Sequence, residues 1–182
     1  MPETRAPVAA FLRGVNVGGV KVPMGELRAV LEDGGLEGVR TFLQSGNVIV
    51  TPVAGGAVKL SRTIEELIED GLGLKVRVIV RTREELAEVA KGNPFHGPDV
   101  EPRLLHVVFL ESEPSNDRVA RLDPNRSPSD RFEVSGREIY AHYPGGSGRS
   151  KLDLAYFEKQ LGVAGTARNW NTVTRLLAML DH

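Results

Sequence analysis

The segment "VRTFLQSGNVIVT", Val39 to Thr51, decides the fold. "VRTFLQ" and "NVIVT" are rich in β-branched and aromatic residues and flank Ser45-Gly46, the pattern of a hairpin. Reading outward, "VAAFL" (Val8 to Leu12) is a buried strand. Pro23 opens a helix, "PMGELRAVLEDGG", that Gly34 and Gly35 stop. After the hairpin, Ile64, Leu67 and Ile68 put "AVKLSRTIEELIEDGLG" in a helix, and "KVRVIVR" alternates as a strand. The order is βαββαβ, the split βαβ arrangement, with two helices on one face of an antiparallel sheet.

A similar order follows. "TREELAEVAKG" reads as a helix, "RLLHVVFL" as a strand and "EPSNDRVARL" as a helix. "DRFEVSGREIYAHY" reads as a hairpin turning at Ser135-Gly136. "SKLDLAYFEKQLG" and "RNWNTVTRLLAML" read as two more helices. The expected fold is α+β, two ferredoxin-like halves with antiparallel sheets and additional C-terminal helices. The Gly- and Pro-rich loop "GNPFHGPDVEP" is the expected boundary, giving halves 1–91 and 92–182.

Composition narrows the function classes. With 41% hydrophobic and 26% charged residues, the 182-residue chain is expected to build a packed core. No apolar run approaches the ~20 residues that span a bilayer. The opening "MPETRAPVAAFLRG" does not read as a secretory leader, so the expected location is the cytoplasm. Zero cysteines exclude disulfides and thiolate chemistry, and His96, His106, His142 and His182 make no pair at metal-ligand spacing. No metal, cofactor or membrane partner is expected. A net charge of −1 argues against non-specific wrapping of duplex nucleic acid, which draws its affinity from a basic excess.

Four polar segments stand out. "LRGVNVGGVKV" sets Gly14, Gly18 and Gly19 between Arg13 and Lys21, a weak anion-loop pattern that a tight turn explains equally well. In "LQSGNV", Ser45 and Asn47 suit a turn, whereas Gln44 is not needed by one. In "PGGSGRSKLDL", Ser150 and Asp153 form a box-like cap beside Arg149 and Lys151; the segment is neither a Walker loop nor a nucleophile elbow. In "TARNWNTV", Trp170, Val173, Leu177 and Leu180 form an apolar helix face. Thr166 or Asn169 caps that helix, and Arg168, Asn171, Thr172 and Arg175 project from its other side. His106 is expected to be a satisfied core histidine, and His142 is the best candidate for a general base.

Taken in order, "LRGVNVGG", "TFLQSGNV", the central "NPF", "GSGRSKL" and "TARNWNTV" resemble the bacterial family called domain of unknown function 1697. The resemblance runs from about Phe11 to Leu177, nearly the whole chain. It implies an α+β fold of two ferredoxin-like halves and brings no established activity. Relatives commonly have a second threonine in "TTRNWNTV"; this chain has Ala167.

The expected function is binding of a small anionic or nucleotide-like ligand, with or without catalysis. The expected site gathers Arg13, Asn16, Gln44, Asn47, Arg149, Lys151, Arg168 and Asn171, with Arg168 and Asn171 facing a cleft shared with Arg13, Asn16 or Gln44. Arginines would hold phosphate or carboxylate and amides would read a planar polar group. Two rivals stand beside it. One is a single-stranded nucleic-acid binder on a ferredoxin-like sheet, weakened by an aromatic content of only 5%. The other is a protein-interaction module whose polar motifs are purely structural.

Overall fold

A computed structural model of the chain describes residues 5–16, 19, 21–52 and 56–182, the side chains of 56–58 excepted. It divides into two compact units, residues 1–87 with 176–182, and residues 88–175.

The first unit contains β1 (Val8–Leu12), α1 (Met24–Asp33), β2 (Glu37–Phe42), β3 (Asn47–Thr51), α2 (Gly56–Leu72) and β4 (Val78–Arg81). Its sheet has the order β2-β3-β1-β4, with every neighbouring pair antiparallel. Alternation along the strands turns Ala10, Leu12, Val48, Val50, Val78 and Val80 into one core. Leu27 and Leu31 of α1 and Leu60, Ile64 and Ile68 of α2 complete it, spaced four residues apart along one stripe of each helix. Ala9, Phe11, Ile49 and Ile79, on the opposite face, are buried as well. Burial on both faces is why "VAAFL" reads as an unbroken apolar run. Pro23 stands at the α1 N-cap, and the helix ends where the Gly34 N–H donates to the Val30 carbonyl and the Gly35 N–H to the Glu32 carbonyl.

The second unit repeats the plan with β5 (Leu105–Leu110), α4 (Asn116–Val119), β6 (Arg131–Ser135), β7 (Glu138–His142), α5 (Leu154–Leu161) and β8 (Gly165–Asn169). Its antiparallel sheet has the order β6-β7-β5-β8. Val108, Leu110, Ile139 and Ala141 face Phe157 and Leu161 of α5 in its core. Helix α3 (Arg83–Gly92) crosses from the first unit into the second, and α6 (Trp170–Leu180) crosses back. The C-terminal part of α3 is pinned to β7 by Tyr140, whose hydroxyl donates to the Val89 carbonyl at 3.0 Å. Burial pushes that hydroxyl up to about 12.

The α+β class and both hairpins are as the sequence reads. Two elements differ. The helix expected over "EPSNDRVARL" is a single turn, α4, because Arg121 and Leu122 already bond three residues back and Pro124 follows. Proline lacks an N–H and disfavours helical backbone in the residue before it. The helix expected from Arg168 starts at Trp170, and Gly165–Asn169 is instead the fourth strand of the second sheet. One helix, α6, therefore follows the last strand where two consecutive C-terminal helices were expected. Trp170 is 2% exposed, and Val173, Leu176 and Leu180 are buried with it, while Leu177 is half-buried.

Candidate functional site

In the first unit, the segments "RGVN" and "QSGN" meet. Leu12 donates its N–H to the Gly46 carbonyl at 2.9 Å, so the chain leaves β1 against the hairpin turn. Asn16, at φ 58°, then ties the loop down. Its Oδ1 accepts from the Val22 N–H at 2.8 Å and its Nδ2 donates to the Val22 carbonyl at 3.1 Å. The same Nδ2 donates to the Gln44 carbonyl across 28 residues of sequence. Val17, Gly18 and Val20 lie outside the described residues, so the anion-loop reading of Gly18 is not described.

The turn itself is held from within. Asn47 is fully buried, and its Nδ2 donates to the Phe42 carbonyl at 2.8 Å and to Ser45 Oγ at 3.0 Å. Gly46 sits at φ 85°, and a Cβ there would come 2.9 Å from Leu12 Cβ, so only glycine fits. Asn16 and Asn47 spend their amide donors on the backbone and the turn. The Gln44 side chain is exposed beside them, and Arg13 is half-buried at the start of the loop.

In the second unit, "GSGRSKLD" is a 3-10 turn, Ser147–Arg149, leading into α5. The cap of α5 is Asp153, which accepts from the Tyr156 N–H at 2.8 Å, rather than the expected Ser150. Ser150 Oγ accepts from Leu152 N–H at 3.0 Å and closes a local turn, so the S-x-x-D pattern is not a capping box. Arg149 and Lys151 are exposed. Sequence reading missed Arg126, whose Nε donates to the Lys151 carbonyl at 2.8 Å and whose guanidinium lies 4.1 Å from the centre of the Tyr156 ring. Only the fold brings it there.

"TARNWNTV" is a strand-to-helix junction. Arg168, on β8, is paired with Val107 of β5 and is buried, not projecting from a solvated helix face as expected; Thr172 is buried too. Arg168 Nη1 donates to Thr166 Oγ1 at 2.6 Å and to the Ala167 carbonyl at 2.9 Å. Burial pushes the guanidinium down to about 10. Asn169 caps α6 by accepting from the Asn171 N–H at 2.9 Å, and its Nδ2 donates to the Arg103 carbonyl at 2.9 Å. Asn171 is exposed.

The histidines are placed less favourably for catalysis than for packing. His142 Nδ1 stands 3.5 Å from Arg131 Nη2 across the β6–β7 hairpin, with Phe95 beside its ring. Burial, then the Arg131 charge, lowers its pKa. A guanidinium cannot accept the imidazole proton, so it does not serve as the orienting group of a general base. His106 packs edge-on to Tyr143 with ring centres 5.3 Å apart. Its Nδ1 is buried without a hydrogen-bond partner, which departs from the satisfied core histidine expected, and burial lowers its pKa. The Asn93 Nδ2 of "NPF" is likewise buried without a partner, while its Oδ1 accepts from Phe95 N–H at 3.0 Å. Among the described residues, no group of three or more histidine or acidic side chains is placed to hold a metal ion, and no helix is long and apolar enough to cross a membrane.

This is an α+β chain whose polar motifs gather at loop tips and strand ends. Over residues 6–140 it matches the family described as Protein of unknown function (DUF1697), and it belongs to that family. A conserved bacterial protein from Streptococcus pneumoniae, of solved structure, is similar over 97% of this chain and 99% of its own, with 24% identity and a TM-score of 0.73. At that identity the likeness is one of fold alone. No curated protein matches the chain.

Proposed function

We propose that the protein binds a small anionic or nucleotide-like ligand, as a carrier of it or as an enzyme acting on it, and does so in the cytoplasm. The observation that supports this reading is the Asn16 amide bridging to the Gln44 carbonyl. Two loops that are far apart in sequence form one surface, and Gln44 adds to it an amide side chain that the turn does not need. Asn16 and Asn47 position it; Arg13 offers a cation and Gln44 an exposed amide. In the second unit, exposed Arg149, Lys151 and Asn171 and buried Arg168 make up a second set of ligand candidates.

Thermal-shift measurement with nucleotides, sugar phosphates, inorganic phosphate and short oligonucleotides tests the reading. A ligand at 100 times its Kd stabilises a protein by about 2.7 kcal/mol. The expected result is stabilisation by a small anion, abolished in Gln44→Ala with the unliganded melting point unchanged, because the lost side chain is exposed. A shift with oligonucleotides alone would favour the nucleic-acid reading. No shift with any compound would leave the motifs structural.

A further inference from the structure

Among the described residues, Asn16 and Leu43 are the two non-glycine residues with positive φ, at 58° and 60°. Asparagine tolerates that region because its side chain bonds locally, whereas a leucine there is strained. Leu43 is also the large hydrophobic side chain that stands most in solvent among the described residues, 53% exposed. An exposed leucine alone is ordinary. An exposed leucine in a left-handed conformation is not, since it accepts strain for little packing in return. Three residues on, the same turn uses Gly46 where it needs positive φ. Glycine or asparagine at position 43 would give the same relief.

The turn nevertheless holds Leu43 in place from both sides. Asn47 Nδ2 grips the carbonyl of Phe42, immediately before it, and Asn16 Nδ2 grips the carbonyl of Gln44, immediately after it. Strain fixed by its surroundings in this way is characteristic of ligand clamps and active sites. Leu43 and its chain neighbour Gln44 are thus both exposed at the junction of the two loops.

We propose that Leu43 is the apolar contact of this site, against which the heteroaromatic ring of an anionic ligand lies. This makes the ligand a nucleotide and not a sugar phosphate or free phosphate, because only the nucleotide adds an apolar ring face to its charge. The inference rests on the binding reading above and narrows its ligand class.

The test is calorimetric titration of the wild type, Leu43→Asn and Leu43→Gly with AMP, GMP, CMP and UMP, and with ribose 5-phosphate and inorganic phosphate. Urea midpoints of the unliganded proteins are measured alongside. Nucleotides are expected to bind the wild type more tightly than ribose 5-phosphate, and both variants to weaken nucleotide binding on the order of tenfold, the worth of covering half a leucine side chain. Ribose 5-phosphate binding is expected to be unmoved, and the unliganded midpoints to stay or rise as strain is relieved. Nucleotide binding unchanged in both variants overturns the inference and leaves the binding reading standing, as does wild-type binding of ribose 5-phosphate or phosphate without nucleotides. A fall in the unliganded midpoints of both variants overturns it by making Leu43 structural. No binding of any probe to the wild type overturns the inference and the binding reading together.

Discussion

Replacing Gly71 by alanine sets two effects of opposite sign against each other. Within a helix, glycine to alanine ordinarily stabilises by about 0.5–1 kcal/mol, because the unfolded chain loses less freedom on folding. At Gly71, however, a Cβ would lie 2.7 Å and 2.9 Å from the two γ-methyl groups of Val30 on α1. Carbon atoms in good contact sit about 3.5–4.0 Å apart, so one helix must retreat by roughly 1 Å. Val30 cannot swing aside, since a β-branched side chain has essentially one χ1 rotamer in a helix. Overpacking of this kind costs about 1–3 kcal/mol, so the clash wins and Gly71→Ala destabilises by about 1–2 kcal/mol. Gly25 in the first turn of α1 is the control: its Cβ would meet only Arg28 Nη2, at 3.8 Å, an ordinary contact. Gly25→Ala should raise stability by up to about 0.5 kcal/mol. With a urea m-value of about 1–3 kcal/mol per M, the two midpoints should fall on opposite sides of the wild type, on the order of 1 M apart. Val30→Ala added to Gly71→Ala should recover most of the loss by removing both methyl groups. A Gly71→Ala midpoint at or above that of Gly25→Ala would refute the close crossing of α1 and α2.

Trp170→Ala should cost about 3–5 kcal/mol in urea unfolding, as large-to-small aromatic changes in a core do; a loss under about 0.5 kcal/mol would place the indole on the surface. Stability should also fall as pH drops below 6.5. Burial lowers the His106 pKa in the folded state, so below the ordinary histidine value the unfolded chain takes a proton that the native state refuses. His142, lowered by burial and Arg131, acts in the same direction. Urea midpoints from pH 7.5 down to pH 5 should therefore decline, less steeply in His106→Gln; an identical slope in that variant would remove His106 from the account.

How far the sequence discloses this molecule depends on whether each signal is local. The two hairpins are legible because Ser45-Gly46 and Ser135-Gly136 lie between β-rich runs, and the turn chemistry sits on the turn itself. Strand β8 is not legible. "GTARN" contains one β-branched residue, and its polar residues read as a continuation of the helix that holds Trp170 and Val173. What makes it a strand is pairing with β5, some 60 residues away, which no local propensity carries. The expected site is legible as a set of motifs but not as roles. That Asn16 reaches Gln44 needs the sheet to bring β1 beside the hairpin, and an arginine read from sequence looks exposed until a strand buries it.

Those roles decide which substitutions can test function. An exposed arginine on a helix is a natural residue to delete, because surface charges contribute little to folding; Arg168 is not one. Buried, it fills volume on the sheet and holds the Thr166 hydroxyl and the Ala167 carbonyl. Its loss opens a cavity and strips two acceptors at once, so a lost ligand response in Arg168→Ala would not distinguish binding from folding. Asn47 and Asn169 fail as probes for the same reason, since their amides hold the hairpin turn and the start of α6. Gln44 and Asn171 escape it. They lie in the same motifs, their side chains are exposed, and neither donates a side-chain bond on which the described backbone depends. A change in ligand response at either, with the unliganded stability intact, is a statement about binding alone.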